Sequence, residues 1–126
     1  MAGFDFNERT LGYIYLVRDK DNFSLTYVGS TVNPENRFKE HRKNSKTQFW
    51  HIKEPVFFIL DTLIGTGTER YMMEQVWYEL LRPSENRKNT YSSRHNIPLY
   101  HAIMTRALFI LEGRSYLRYP SHTGGP

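Results

Sequence analysis

TYVGSTVNPENRFKEH, residues 26–41, changes its periodicity halfway along, and the change sets the fold. Residues 25–28, LTYV, are β-branched, aromatic or aliphatic and read as a strand. Gly29, Ser30 and Thr31 then read as a turn. Asn33 followed by Pro34 is a helix start. The asparagine caps, and a proline in the first turn gives up no hydrogen bond the helix needs. The helix should run to about Lys43, which puts Arg37 and His41, four apart, on one face.

Upstream, residues 13–17, YIYLV, form a second strand-like run, and Lys20, Asp21 and Asn22 supply a turn between the two. The pair is therefore expected to be a hairpin. Tyr13 and Tyr15 share one face of it, Ile14 and Leu16 the other, and Tyr27 is expected to oppose Tyr15 across it. Downstream, VFFIL at 56–60 reads as a third, buried strand, while 44–52 admits a short helix. GTGTER at 65–70 opens another helix, with Thr66 or Thr68 as cap. Its core stripe is Met73, Val76, Trp77, Leu80 and Leu81, and Pro83 ends it. Residues 84–97 are polar and irregular. A last helix is expected over about 98–112, packed through Ile103, Ala107 and Ile110, with a flexible tail over 120–126. Three strands and several helices in 126 residues make one small α/β domain, with its core at about 11–90.

Composition narrows the chemistry. Seventeen Lys and Arg against thirteen Asp and Glu leave a net charge of +4, which suits a phosphate-bearing partner. The absence of cysteine removes disulfides, thiolate zinc sites and a thiol nucleophile, and fits an intracellular protein. The N-terminal residues lack a basic-then-apolar leader, and no apolar run approaches the roughly 20 residues that span a bilayer, so no membrane partner is expected. The five histidines have no zinc-site spacing. GSTVNPENR has one glycine and no phosphate-loop lysine, which argues against a nucleotide cofactor. Ser30 and Ser93 have no ordered His and Asp partners for acyl transfer.

Two segments concentrate positive charge. Residues 34–46 hold five basic residues against two acidic ones, and 82–94 hold four against one. Interleaved with aromatics, they suit a surface that reads a nucleic-acid backbone, although a solvated helix face has the same look. Glu74 is the most informative acid. It sits beside Met73, Val76 and Trp77, with Tyr71 and Tyr78 on its side of the helix. A carboxylate buried there needs a partner. Arg37, Arg70 and a hard cation such as Mg²⁺ are the candidates, against a plainer reading as a partly exposed glutamate beside a basic neighbour.

GYIYLV at 12–17 and YVG at 27–29 resemble the two name-giving motifs of the GIY-YIG endonucleases. Arg37 and His41, ten and fourteen residues beyond Tyr27, keep that family's spacing, and EQVWYELLRPSEN at 74–86 is similar to its later helix and loop. The resemblance covers about residues 11–89. It implies an α+β fold with a three-stranded antiparallel sheet flanked by helices. It also implies hydrolysis of DNA phosphodiesters with one divalent metal ion, Mg²⁺ with Mn²⁺ as a substitute. Carried over, it makes Tyr15 and Tyr27 the motif tyrosines, Arg37 the catalytic arginine and His41 the histidine one turn later. Glu74 becomes the metal-binding glutamate. The asparagine after Pro83 is Asn86, with Asn89 as the alternative.

Among the two tyrosines, Tyr15 is the first choice as general base, with Tyr27 placing the water or sharing a relay into which His41 fits. Lys43, Lys46, His51, Arg87, Lys88 and Asn89 are expected to bind substrate, with Lys46 and His51 competing for one family position. Two departures stand out: Arg87 occupies a position where a small aliphatic residue is common, and Tyr13 falls within the first motif, although Ile14 still directly precedes Tyr15. Homing-type members carry a separate DNA-reading domain, whereas here a helix and a tail are expected after Asn89. One site per monomer should cut one strand at a time unless it turns round or pairs transiently with a copy on DNA. The competing readings are a non-cleaving nucleic-acid-binding module of the same fold and an interaction domain.

Overall fold

A computed structural model describes residues 8–44, 51–86, 97–113 and 117–118. Its elements are β1 (Thr10–Asp19), β2 (Thr26–Thr31), α1 (Pro34–Asn44), β3 (Pro55–Gly65), α2 (Gly67–Leu81), α3 (Ile97–Gly113) and β4 (Leu117–Arg118). The strands lie in the order β2-β1-β3-β4, every neighbouring pair antiparallel. The expected three-stranded antiparallel sheet is present with β1 at its centre. The two-residue β4 adds to the outer edge of β3.

The strands outrun their apolar runs. Thr10, Gly12, Arg18 and Asp19 lie outside the apolar run at 13–17, yet their backbones pair with β3. Gly29, Ser30 and Thr31 pair with Tyr15, Ile14 and Tyr13 and are strand rather than turn. The register also corrects the tyrosine pairing: Tyr15 faces Gly29, and Tyr27 faces Val17.

Asp19 ties the hairpin to the start of β3. Its Oδ2 accepts from the Asp21 and Asn22 amides, both at 3.0 Å, and its Oδ1 accepts from Lys53 at 2.9 Å and Glu54 at 3.2 Å. Burial alone would raise its pKa, but these backbone N–H groups outweigh that and hold it below the ordinary value.

Alternation divides the core between the two faces of the sheet. On one face α1 contributes Phe38, packed with Tyr15, Val17, Ile52 and Phe57. The Phe38 and Phe57 rings stack with centroids 4.2 Å apart. On the other face α2 and α3 bury Met72, Met73, Val76, Trp77, Ile103, Ala107 and Ile110 against Ile14, Val28 and Leu60. The helical stripes read from sequence are thus the core-facing ones, with Leu80 and Leu81 packed at the margin. A bulge leaves Leu60 as an extra residue, since Ile14 pairs with Asp61 and Tyr15 with Ile59. Asp61 is buried and takes a forked ion pair from Arg106 of α3, with contacts of 2.9–3.1 Å. Thr66 caps α2 in a reciprocal box with Glu69, and Arg82, at φ 49°, closes it ahead of Pro83.

Candidate active site

The site forms at the end of β2. Thr31 Oγ1 accepts from the Asn33 amide, and Asn33 Oδ1 accepts from the Asn36 amide, so strand and helix join through short polar bonds. The first turns of α1 then carry Arg37 and His41 back over the hairpin tyrosines. Gly29 is what admits Tyr15 there. A Cβ at residue 29 would lie 2.5 Å from the Tyr15 hydroxyl and 2.9 Å from the Tyr27 ring.

Tyr15 has no exposed surface and His41 has 4 %. The Tyr15 hydroxyl lies 2.7 Å from His41 Nε2. The Tyr27 ring stands 5.0 Å from the imidazole and 6.2 Å from the Tyr15 ring, centre to centre. Burial first, then the Arg37 charge, lowers the His41 pKa to about 4. Burial also drives Tyr15 well above its ordinary range; the Tyr27 and Glu74 charges add to this, and Arg37 opposes it. Tyr27 is raised as well, by burial and then Glu74, against Arg37 and a hydrogen bond with Tyr15. At neutral pH both phenols are therefore protonated and His41 is neutral; Tyr15 donates to Nε2 in the tautomer that carries its proton on Nδ1 and accepts from it in the other.

Tyr27, Arg37 and Glu74, from β2, α1 and α2, line one cleft of about 400 Å³. Ser30, Arg70 and Tyr71 line it too. Ser30 Oγ donates to Glu74 Oε1 at 2.5 Å. Burial raises the Glu74 pKa, and the Ser30 hydrogen bond and the charges of Arg37 and Arg70 act against it. Tyr27 and Ser30 belong to opposite faces of β2 by alternation. The cleft therefore sits at the end of the edge strand, where α1 from one face and α2 from the other both reach it.

Asn86 has a different place. Its Oδ1 accepts from the Val28 amide at 2.8 Å, and its Nδ2 donates to the Val28 carbonyl at 2.7 Å. Ser84 Oγ accepts from the Thr26 amide, and the Glu85 amide donates to the Thr26 carbonyl. The segment after α2 thus covers the outer edge of β2 like a partial strand, with Asn86 as its pin. His51 is exposed, and its ring and amide both engage Glu85. Lys43 is exposed near the end of α1. Lys46, Arg87, Lys88 and Asn89 lie outside the described residues.

Sequence reasoning missed Ser30 as a site residue and weighed Arg70 only as a partner for Glu74. A local signal for Ser30 does not exist, because its role depends on α2 crossing β2.

The donor set suits one kind of cation. Among the described residues no group of three or more His, Asp or Glu could hold a metal. The cleft offers one carboxylate, that of the half-buried Glu74, and its hydroxyl-bearing residues are Ser30, Thr31, Tyr27 and Tyr71. That is a poor zinc site. It fits a hard, hydrated divalent ion, which accepts a single protein carboxylate when substrate phosphate completes the shell. Among the described residues no helix is long and apolar enough to cross a membrane.

Residues 11–91 match the family model of the GIY-YIG catalytic domain. Comparison with curated proteins and with solved structures finds no match.

Proposed function

The chain belongs to the GIY-YIG nuclease family, and from that premise we propose that it is an endonuclease hydrolysing DNA phosphodiesters with one divalent ion, Mg²⁺ or Mn²⁺. The observation that supports this most is the meeting of Tyr27, Arg37 and Glu74 in one cleft, with the Tyr15–His41 hydrogen bond behind it.

Glu74 would hold the ion, which when bound supplies Lewis-acid charge to the phosphate and the leaving 3′ oxygen. Ser30 fixes the carboxylate from below. Arg37 presents a planar, multi-donor head to the non-bridging oxygens and balances the charge that grows as phosphorus becomes five-coordinate. Water contact falls to Tyr27, because it lines the cleft while Tyr15 is fully enclosed. As the water oxygen bonds to phosphorus, its proton passes to the Tyr27 oxygen. The Tyr27 proton passes to Tyr15, and the Tyr15 proton to Nε2 of His41. The bond to the 3′ oxygen breaks on the far side, and that oxygen takes a proton from solvent. A coupled relay needs no free phenolate, which the raised phenol pKa values disfavour.

Asn86 acts through β2: by pinning Val28 it sets the strand that carries Tyr27 and Ser30. Lys43, Lys46, His51, Arg87, Lys88 and Asn89 are assigned to the flanking DNA. One site per chain makes a nick the primary product, with a double-strand cut requiring a second binding event or a transient pair. We place this activity inside the cell.

The test is incubation with supercoiled plasmid and Mg²⁺, with and without chelator. Nicked circles that appear only with the ion support the reading. DNA binding without nicking across a cation series would leave a non-cleaving module, and neither binding nor nicking would leave an interaction domain.

A further inference from the structure

Arg70 stands one turn before Glu74 in α2, and the roles above give it no task. It is 8 % exposed and lines the cleft. Its Nε is buried with no hydrogen-bond partner among the described residues. The guanidinium carbon lies 5.4 Å from the centre of the Tyr71 ring, which supports the head from one side without giving Nε an acceptor. A Cβ at Gly12 would stand 2.7 Å from Arg70 Cδ. The missing side chain at residue 12 is thus the notch through which the arginine stem crosses β1. An enclosed cation with an unpaired N–H is costly unless an anion completes it.

The charges of the cleft say which anion. Arg37, Arg70 and Glu74 leave an excess of one positive charge before any metal ion arrives. Arg37 is already assigned to the phosphate under attack. We propose that Arg70 is a second phosphate-gripping residue, binding the non-bridging oxygens of a phosphate adjacent to the scissile one on the same strand. The proposal rests on the nuclease reading and deepens it: the cleft then takes a strand with consecutive phosphates rather than an isolated diester. Arginine suits the task because its fork can hold two oxygens of one phosphate.

The test is DNA binding in chelator, where nothing is cut, over a salt series. Arg70→Met keeps an unbranched stem over Gly12 and removes the charge; Arg70→Lys keeps the charge. Each phosphate neutralised contributes about 0.9 to the slope of log K against log salt. Arg70→Met should weaken binding about tenfold and reduce the slope by about one unit. Its cleavage should show a raised KM more than a lowered kcat. Arg70→Lys should keep the wild-type slope. A folded Arg70→Met with wild-type affinity and slope overturns the proposal, as does a lysine variant whose slope falls like that of methionine. Should Arg70→Met not fold, Gly12→Ala displaces the stem instead: a reduced slope supports the contact, and an unchanged one overturns it. These results are separable from the premise. Wild type that neither binds nor nicks DNA removes the nuclease reading, whereas active wild type with an indifferent Arg70→Met removes only this inference.

Discussion

Tyr15 lies directly across the hairpin from Gly29, and its phenol fills the space that a side chain at residue 29 would need. The glycine is required by this close approach, not by an unusual backbone angle. Gly29→Ala should therefore push both tyrosines off position. Overpacking of this kind costs about 1–3 kcal/mol. Thermal unfolding should show that loss, and nicking at a temperature where the variant is folded should fall further than its stability explains. Wild-type activity in Gly29→Ala would mean that the tyrosine geometry is not needed.

Tyr15→Phe separates packing from chemistry. The ring that meets Phe38 edge-on at 5.1 Å stays, and the hydroxyl that reaches His41 goes. The expected stability change is about 0.5–1.5 kcal/mol. The expected loss of cleavage is about 10²–10⁴-fold, the usual worth of a positioned proton-transfer group. Single-turnover cleavage of a labelled duplex measures it; a rate within twofold of wild type would remove Tyr15 from the relay.

Such predictions depend on long-range contacts, which is where the sequence stops being readable. The strands were visible as YIYLV, LTYV and VFFIL because β-branched and aromatic side chains announce themselves locally. The helix stripes were visible for the same reason, at a different period. Strand ends were not: Thr10, Thr62 and Gly65 are in the sheet only because a partner strand pairs with them. The order of Tyr15, Tyr27, Arg37, His41 and Glu74 was legible through motif spacing, but the depth of each residue was not. Tyr15 and Tyr27 look alike in sequence, yet one is enclosed and the other lines the cleft. Asn86 finds its partner Val28 fifty-eight residues away, beyond the reach of any local pattern.

His41 should make stability depend on pH in a defined window. Its pKa in the fold is about 4, below its ordinary value of 6.5, so the unfolded chain takes up the proton first. The contribution is complete above pH 6.5, declines as pH falls from 6.5 to about 4, and is flat below that. The span is on the order of 3 kcal/mol. Glu74, whose pKa is raised, acts in the opposite sense, its contribution fading as pH rises above its ordinary 4.5. Comparing wild type with His41→Gln by denaturant unfolding at pH 7, 5.5 and 4 cancels that common part. A stability difference that does not vary over this range would contradict the burial of a neutral imidazole.

Asn86→Ala should loosen the edge of β2 rather than empty the cleft. It leaves the Val28 amide and carbonyl without their side-chain partners, at a cost of about 1–3 kcal/mol. Hydrogen exchange should quicken at Val28 before it quickens in α2. Cleavage should fall with unchanged metal dependence, since Asn86 does not line the cleft that Glu74 does. Unchanged exchange at Val28 would show that the pin is not what holds this edge.

The central claim is tested most directly by Glu74→Gln, which keeps an acceptor for the Ser30 hydroxyl while removing the charge. With matched DNA binding measured in chelator, the cleavage rate in Mg²⁺ should fall by on the order of 10³ while affinity stays within a fewfold of wild type. Full cleavage by the folded Glu74→Gln protein across the Mg²⁺ and Mn²⁺ series would contradict the claim that this cleft is where the phosphodiester is cut.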